Sequence, residues 1–100
     1  PQLPPFASNN AHMFYLLCES SQFREGLIDH LKTSGVYAVF HYLSLHKSPF
    51  YLNKHDGREL PETDRYSENL VRLPLYYQLE ANQITKITQL IIQFCNSYHN

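Results

Sequence analysis

The sequence predicts an α+β fold, a small sheet of two or three strands with helices on one face, and three observations predict it. Two short runs, His12–Cys18 and Val36–Tyr42, are apolar at both odd and even positions. Longer stretches repeat their apolar residues at helical spacing. A Leu73-Pro74-Leu75 segment lies between the last two helical stretches and offers a third extended piece.

Each element has its own signal. Residues 1–10 are rich in Pro and Asn and read as an extended lead-in, with more chain expected before it. Residues 11–100 read as one small domain of a larger protein. In His12–Cys18 both faces are apolar, the mark of a strand covered on two sides. Ser20 and Ser21 supply N-cap hydroxyls for a helix reaching about Thr33. Phe23, Leu27, Ile28 and Leu31 define its buried stripe, and Gly35 suits the left-handed residue that closes it. Gly26 weakens the helix interior.

Val36, Ala38 and Phe40 form one face of the second strand, Tyr37 and Val39 the other. Leu43–Pro61 is a long polar connection, a length that often carries function. Thr63 is placed to cap a short helix to about Val71, with Tyr66 and Leu70 inward. Pro74 confines the Leu73–Leu75 segment to an edge or a first strand position. Ile84, Ile87, Ile91, Phe94, Cys95 and Tyr98 then make one continuous helical stripe.

Composition narrows the function. One hundred residues make about one domain, and 43% hydrophobic with 17% charged residues argues against disorder. A net charge of −1, with no basic run, argues against nucleic acid or an anionic membrane as partner. The longest apolar stretch, Met13–Cys18, is too short to span a bilayer. Residues 1–10 have neither the basic start nor the apolar core of a signal peptide. Cys18 and Cys95 are too few for a disulfide scaffold and read as packed thiols in a reducing, cytoplasmic setting.

Six histidines invite a metal reading. His41 and His46 have a zinc-like separation, but no second ligand pair accompanies them, so no metal site is expected. No glycine-rich phosphate loop and no G-x-S-x-G is present. The densest local signal is Phe40–Pro49, where a strand releases His41, Tyr42 and His46 into a loop. Imidazoles and a phenol suit a polar, ring-shaped ligand such as a sugar. A loop that merely packs is the plainer alternative.

Four blocks, Asn10–Tyr15, Ala38–His46, Asp64–Tyr66 and Leu70–Tyr76, run in an order and spacing that resembles the C-terminal domain of the DegT/DnrJ sugar-nucleotide aminotransferases. The resemblance implies a fold type I enzyme whose large domain carries pyridoxal phosphate on a lysine. None of Lys32, Lys47, Lys54 or Lys86 lies in a block matching that lysine, so no catalytic or cofactor-binding residue carries over. What carries over is the family's Tyr-x-Pro-x-His loop beside the substrate pocket, here Tyr42 and His46 with His41 adjacent. Ser44 stands where the family usually has proline, which implies a less rigid loop. The implied whole enzyme moves an amino group from glutamate to a dTDP-4-keto-6-deoxyhexose, as a homodimer, in surface polysaccharide synthesis. By that reading this chain alone is inactive and binds no cofactor.

Two other readings stand beside it: a stand-alone interaction or ligand-binding module, and a metal-dependent enzyme built on the histidines. The physical argument for a severed domain is separate from the resemblance. The strands are apolar on both faces, and three helices supply cover for one.

Overall fold

In the computed structural model, which describes residues 2–100, the chain forms three helices and a three-stranded antiparallel sheet. In chain order these are β1 (Phe14–Leu17), α1 (Ser21–Thr33), β2 (Val39–Phe40), a 3₁₀ turn (Leu45–Lys47), α2 (Pro61–Asn69), β3 (Leu70–Leu73) and α3 (Ala81–Tyr98). The expected α+β class is the one observed.

Helix α1 begins where Ser20, in extended conformation, accepts from the Phe23 N–H at 3.1 Å. It ends in a Schellman-type turn. Gly35 takes φ of 77°, and the Val36 N–H reaches back to the Leu31 carbonyl at 2.9 Å. Phe23, Leu27 and Leu31 project from one stripe into the core with Val36, Ala38, Val71 and Ile87. Gly26 sits where α3 comes closest, because a Cβ there would stand 2.9 Å from Phe94 Cζ. The glycine that weakens the helix locally is what permits this approach.

The sheet order is β1-β3-β2, so β3 is central. This corrects the placement of an edge segment at Leu73–Leu75. The strand lies just before Pro74, where every residue still has an N–H to donate, and Pro74 ends it. The register also explains why β1 and β2 are shorter than expected. Phe14 pairs with Leu73 and Val39 with Arg72, so Met13 and Tyr37 would each face Pro74. At its other end β2 runs out where β3 passes directly into α2. Val36 and Ala38 remain buried although their backbone leaves the ladder.

Helix α2 starts at Pro61, not at a Thr63 cap, because a proline at the first position already has helical φ and lacks the orphan N–H. Leu70 is buried as expected but lies in β3, and Tyr66 faces outward, 43% exposed. In α3 only Ile87 of the predicted stripe is fully buried. Ile91, Phe94 and Cys95 are half-buried, and Ile84 and Tyr98 are open. The expected lead-in begins with Pro1, which lies outside the described residues. From residue 2 it is exposed and includes a turn, Ala7 N–H to the Pro4 carbonyl at 3.0 Å.

Strand alternation separates the two sheet faces. Leu16 and Val71 face the α1–α3 layer and join its core. Tyr15, Arg72 and Val39, paired across the sheet, lie on the opposite face with Tyr37. There Tyr37 is 74% and Val39 49% exposed. Among the described residues, eight hydrophobic ones are buried while nineteen large ones are exposed, the reverse of what a self-sufficient core would show. The radius of gyration, 15.9 Å, exceeds the roughly 13 Å of a self-contained 100-residue domain.

Candidate functional site: the loop from His41 to Thr63

Strand β2 delivers its chain into a segment that is long but not irregular. Ser44 precedes the 3₁₀ turn, and successive turns follow, with Leu52 and His55 N–H groups bonding to the Ser48 and Tyr51 carbonyls at 2.9 Å each. Ser44 has φ of −62°, the value a proline ring would impose. At 7% exposure Ser44 is also the one fully buried polar residue among those described.

Asp64 of α2 is the anchor of this segment. Its Oδ1 lies 3.1 Å from His46 Nε2 and 3.0 Å from Lys47 Nζ. Lys47 also reaches Glu68 at 3.3 Å. Lys47 donates a hydrogen bond to Glu68, whereas the two contacts at Asp64 act by charge, since Oδ1 is buried and accepts none of good geometry. The Lys47 ammonium, first, with smaller contributions from His46 and the Ser44 hydroxyl, holds the Asp64 carboxyl below its usual range against the opposing effect of burial. In return Asp64, followed by Glu68, pushes the Lys47 ammonium up.

The three predicted residues divide into two groups. His41 and Tyr42 stay together, their ring centroids 4.4 Å apart. Tyr42 is 72% exposed, and His41 is half-buried with an unpartnered Nδ1. His46 turns away from them. Its side chain is 12% exposed, directed at Asp64 and 5.3 Å from the His55 ring. It lines a recess of about 360 Å³ with Tyr51, Lys54, His55 and Arg58, whose wall includes neither His41 nor Tyr42. Sequence reasoning missed Asp64 as the organising group. The block Asp64–Tyr66 was visible, but nothing in it says that α2 lies against the 3₁₀ turn.

Among the described residues, no three His, Cys, Asp or Glu side chains gather as a metal site would require. The four lysines are all exposed. A lysine that forms a Schiff base must be desolvated or set beside another cation so that it loses its proton. Lys47 is held protonated between two carboxylates, and Lys54 Nζ rests 3.6 Å above the Phe50 ring. Among the described residues, no helix is long and apolar enough to cross a membrane.

A family model described as the DegT/DnrJ/EryC1/StrS aminotransferase family matches residues 2–92. Among solved structures, the aminotransferase TlmJ from Streptoalloteichus hindustanus superposes with a TM-score of 0.86 at 21% identity, covering 98% of this chain and 26% of that one. PseC from Helicobacter pylori, an aminotransferase involved in pseudoaminic acid biosynthesis, has a TM-score of 0.76 at 17% identity, covering 86% and 24%. Spr1654 from Streptococcus pneumoniae in its PMP form has a TM-score of 0.75 at 23% identity, covering 86% and 22%. The chain thus spans about a quarter of the length of the solved structures it matches.

Proposed function

We propose a function from one premise: the chain belongs to the DegT/DnrJ/EryC1/StrS aminotransferase family. Our reading is that it is the C-terminal small domain of a larger sugar-nucleotide aminotransferase that depends on pyridoxal phosphate. The whole enzyme would act in the cytoplasm as a homodimer. It would transfer the amino group of glutamate to a dTDP-4-keto-6-deoxyhexose, the reaction of a dTDP-4-amino-4,6-dideoxygalactose transaminase. The product would enter lipopolysaccharide or common antigen synthesis.

The observation that carries this reading is the uncovered apolar surface. A sheet with Tyr37 and Val39 open on one side, and a loop exposing Tyr42, Leu43 and Leu45, leaves apolar area that a second domain would bury. A self-contained monomer would keep more of that area from water. The lysines of this chain do not fit the Schiff-base role, so the cofactor belongs to the remainder of the polypeptide in this proposal. Pyridoxal phosphate supplies the electron sink when bound there.

In this reading the chain's own residues shape and close the sugar pocket. Tyr42 presents a ring face and a hydroxyl, and His41 stands beside it. His46 contributes by holding the 3₁₀ turn against Asp64, so that the loop is ordered before a ligand arrives.

The test compares two polypeptides supplied with pyridoxal phosphate, glutamate and a dTDP-4-keto-6-deoxyhexose. The 100-residue chain alone is expected to retain no pyridoxal phosphate after desalting and to yield no amino sugar, whereas the longer polypeptide retains the cofactor and yields the amino sugar. Turnover by the isolated chain would refute the domain reading. A longer polypeptide that forms the cofactor absorbance but aminates no dTDP-keto sugar would refute the substrate. Replacing His46 by alanine in the longer polypeptide should reduce turnover or substrate affinity while leaving the cofactor absorbance in place.

A further inference from the structure

The sheet ends at β1 in an unpaired edge. The order β1-β3-β2 leaves one side of β1 without a neighbour. The Cys18 N–H bonds to the Asn69 carbonyl at 2.9 Å, one step beyond the Leu17–Leu70 pair. Bonding alternates along an antiparallel pair, so Leu16 and Phe14 also turn their backbone groups to β3. Tyr15 and Leu17 therefore direct their N–H and C=O groups outward, and among the described residues no backbone hydrogen bond engages them there. Natural proteins blunt such an edge with a charge, a proline or a bulge. Phe14–Leu17 has no charge and no proline, and its register is unbroken.

The flank of α3 on the same side is also open. Phe14 shares with Ile84, Thr88 and Ile91 an apolar recess of about 220 Å³, so this flank stands beside the β1 edge. Phe94, on another side of α3, packs against α1 through Phe23. Ile84, Thr88 and Ile92 follow one another a turn apart, and the two isoleucines are 49% and 53% exposed. The Thr88 hydroxyl donates to the Ile84 carbonyl at 2.8 Å and the Thr85 hydroxyl to the Ala81 carbonyl at 3.0 Å, so neither needs water. Lys86, the one charged residue of α3, lies on the far side of the helix from Thr88.

We infer that a second copy of this chain docks on this edge and flank across a two-fold axis, β1 antiparallel to β1 and α3 antiparallel to α3. The register follows from the outward groups. With Leu16 opposite Leu16, Tyr15 of each copy pairs with Leu17 of the other, and every outward N–H and C=O of both edges finds a partner. The helix flank has the same symmetry. Ile84 and Ile92 stand equally far on either side of Thr88, so Ile84 of one copy meets Ile92 of the other. An unrelated partner would have to match edge and flank separately, whereas the chain's own copy matches both with one axis. The absence of charge on the flank is what the centre of such an interface requires. The edge and the flank lie beside the open face of the sheet and not on it, so the inference does not rest on the aminotransferase reading.

The test follows the 100-residue chain by sedimentation and by amide hydrogen exchange over a concentration series. Exchange at the Tyr15 and Leu17 amides is expected to slow about tenfold or more as the chain associates. Those amides point along the sheet, so association through its open face alone would leave them unprotected. Ile84→Lys and Ile92→Glu should each weaken association by about tenfold or more, because each sets a charge against an apolar partner. Both sites are exposed in the single chain, so the variants should fold, which circular dichroism checks. The double variant should associate more tightly than either single one, since an ammonium then meets a carboxylate twice across the axis. Association unaltered by both single variants would overturn the inference, as would Tyr15 and Leu17 amides that exchange at one rate at every concentration. A double variant no tighter than the single ones would overturn the antiparallel placement of α3.

Discussion

Replacing Gly26 by alanine sets two opposed effects against each other at one contact. Alanine gains about 0.8–1 kcal/mol over glycine in a helix interior, so on an exposed helix the change would stabilise. Here the new Cβ would meet Phe94 Cζ at 2.9 Å and Cε2 at 3.4 Å. The ring has little room to retreat. Phe23 packs on it at 5.1 Å, His30 at 5.5 Å and Tyr98 at 5.6 Å between centroids. Overpacking of this kind costs about 1–3 kcal/mol. The crowding outweighs the propensity, and Gly26→Ala is expected to destabilise by about 1 kcal/mol, a fall in Tm of roughly 4–8 °C for a domain this size. Urea unfolding followed by far-UV circular dichroism measures it. The same change in a Phe94→Leu background should reverse sign, since the smaller side chain frees the space. Gly26→Ala that stabilises the wild-type chain would refute the close packing of α1 on α3.

Three further outcomes follow from the same structure. Leu31 is fully buried, so Leu31→Ala should cost about 2–5 kcal/mol, and Ile91→Ala, at a half-buried site, distinctly less in the same urea assay. The Asp64 carboxyl is held below its ordinary pKa, so its contact with Lys47 and His46 is complete above the unfolded carboxylate range, near 3.8, and fades as pH falls through the lower folded value. Asp64→Asn should therefore remove the part of the acid dependence of Tm that resides in this segment, and a Tm profile below pH 5 identical to that of the wild type would contradict it. Burial, foremost, pushes the Cys18 thiol up to about 11, with Cys95 and Glu19 adding to the rise and Arg24 opposing it. Iodoacetamide at pH 8 should thus modify Cys18 far more slowly in the folded chain than in urea, and mass spectrometry of the labelled peptide reads the difference.

The sequence carried the α1 helix almost to the residue, because Ser20, the 23–27–31 stripe and Gly35 are local signals with local causes. It also carried the two-faced character of the strands. It mislaid β3, because the deciding fact is that Leu70–Leu73 lies between two partners far away in the chain, and tertiary pairing leaves no local mark. The lengths of β1 and β2 depend on the same hidden register through Pro74. At the candidate site, Tyr42 and His46 were visible as residue types, but their separation into one open ring and one anchored imidazole was not. That division comes from Asp64, eighteen residues beyond His46, and only the folded chain brings α2 to the 3₁₀ turn.

The central claim is that one side of the sheet and the loop after β2 lack their cover in this chain. Sedimentation of the purified 100-residue chain over a concentration series, with fluorescence of a bound naphthalene sulfonate dye recorded on the same samples, tests it most directly. Concentration-dependent association together with dye binding by the folded chain is the expected result. A monomer at every concentration, folded and without dye fluorescence, would contradict it.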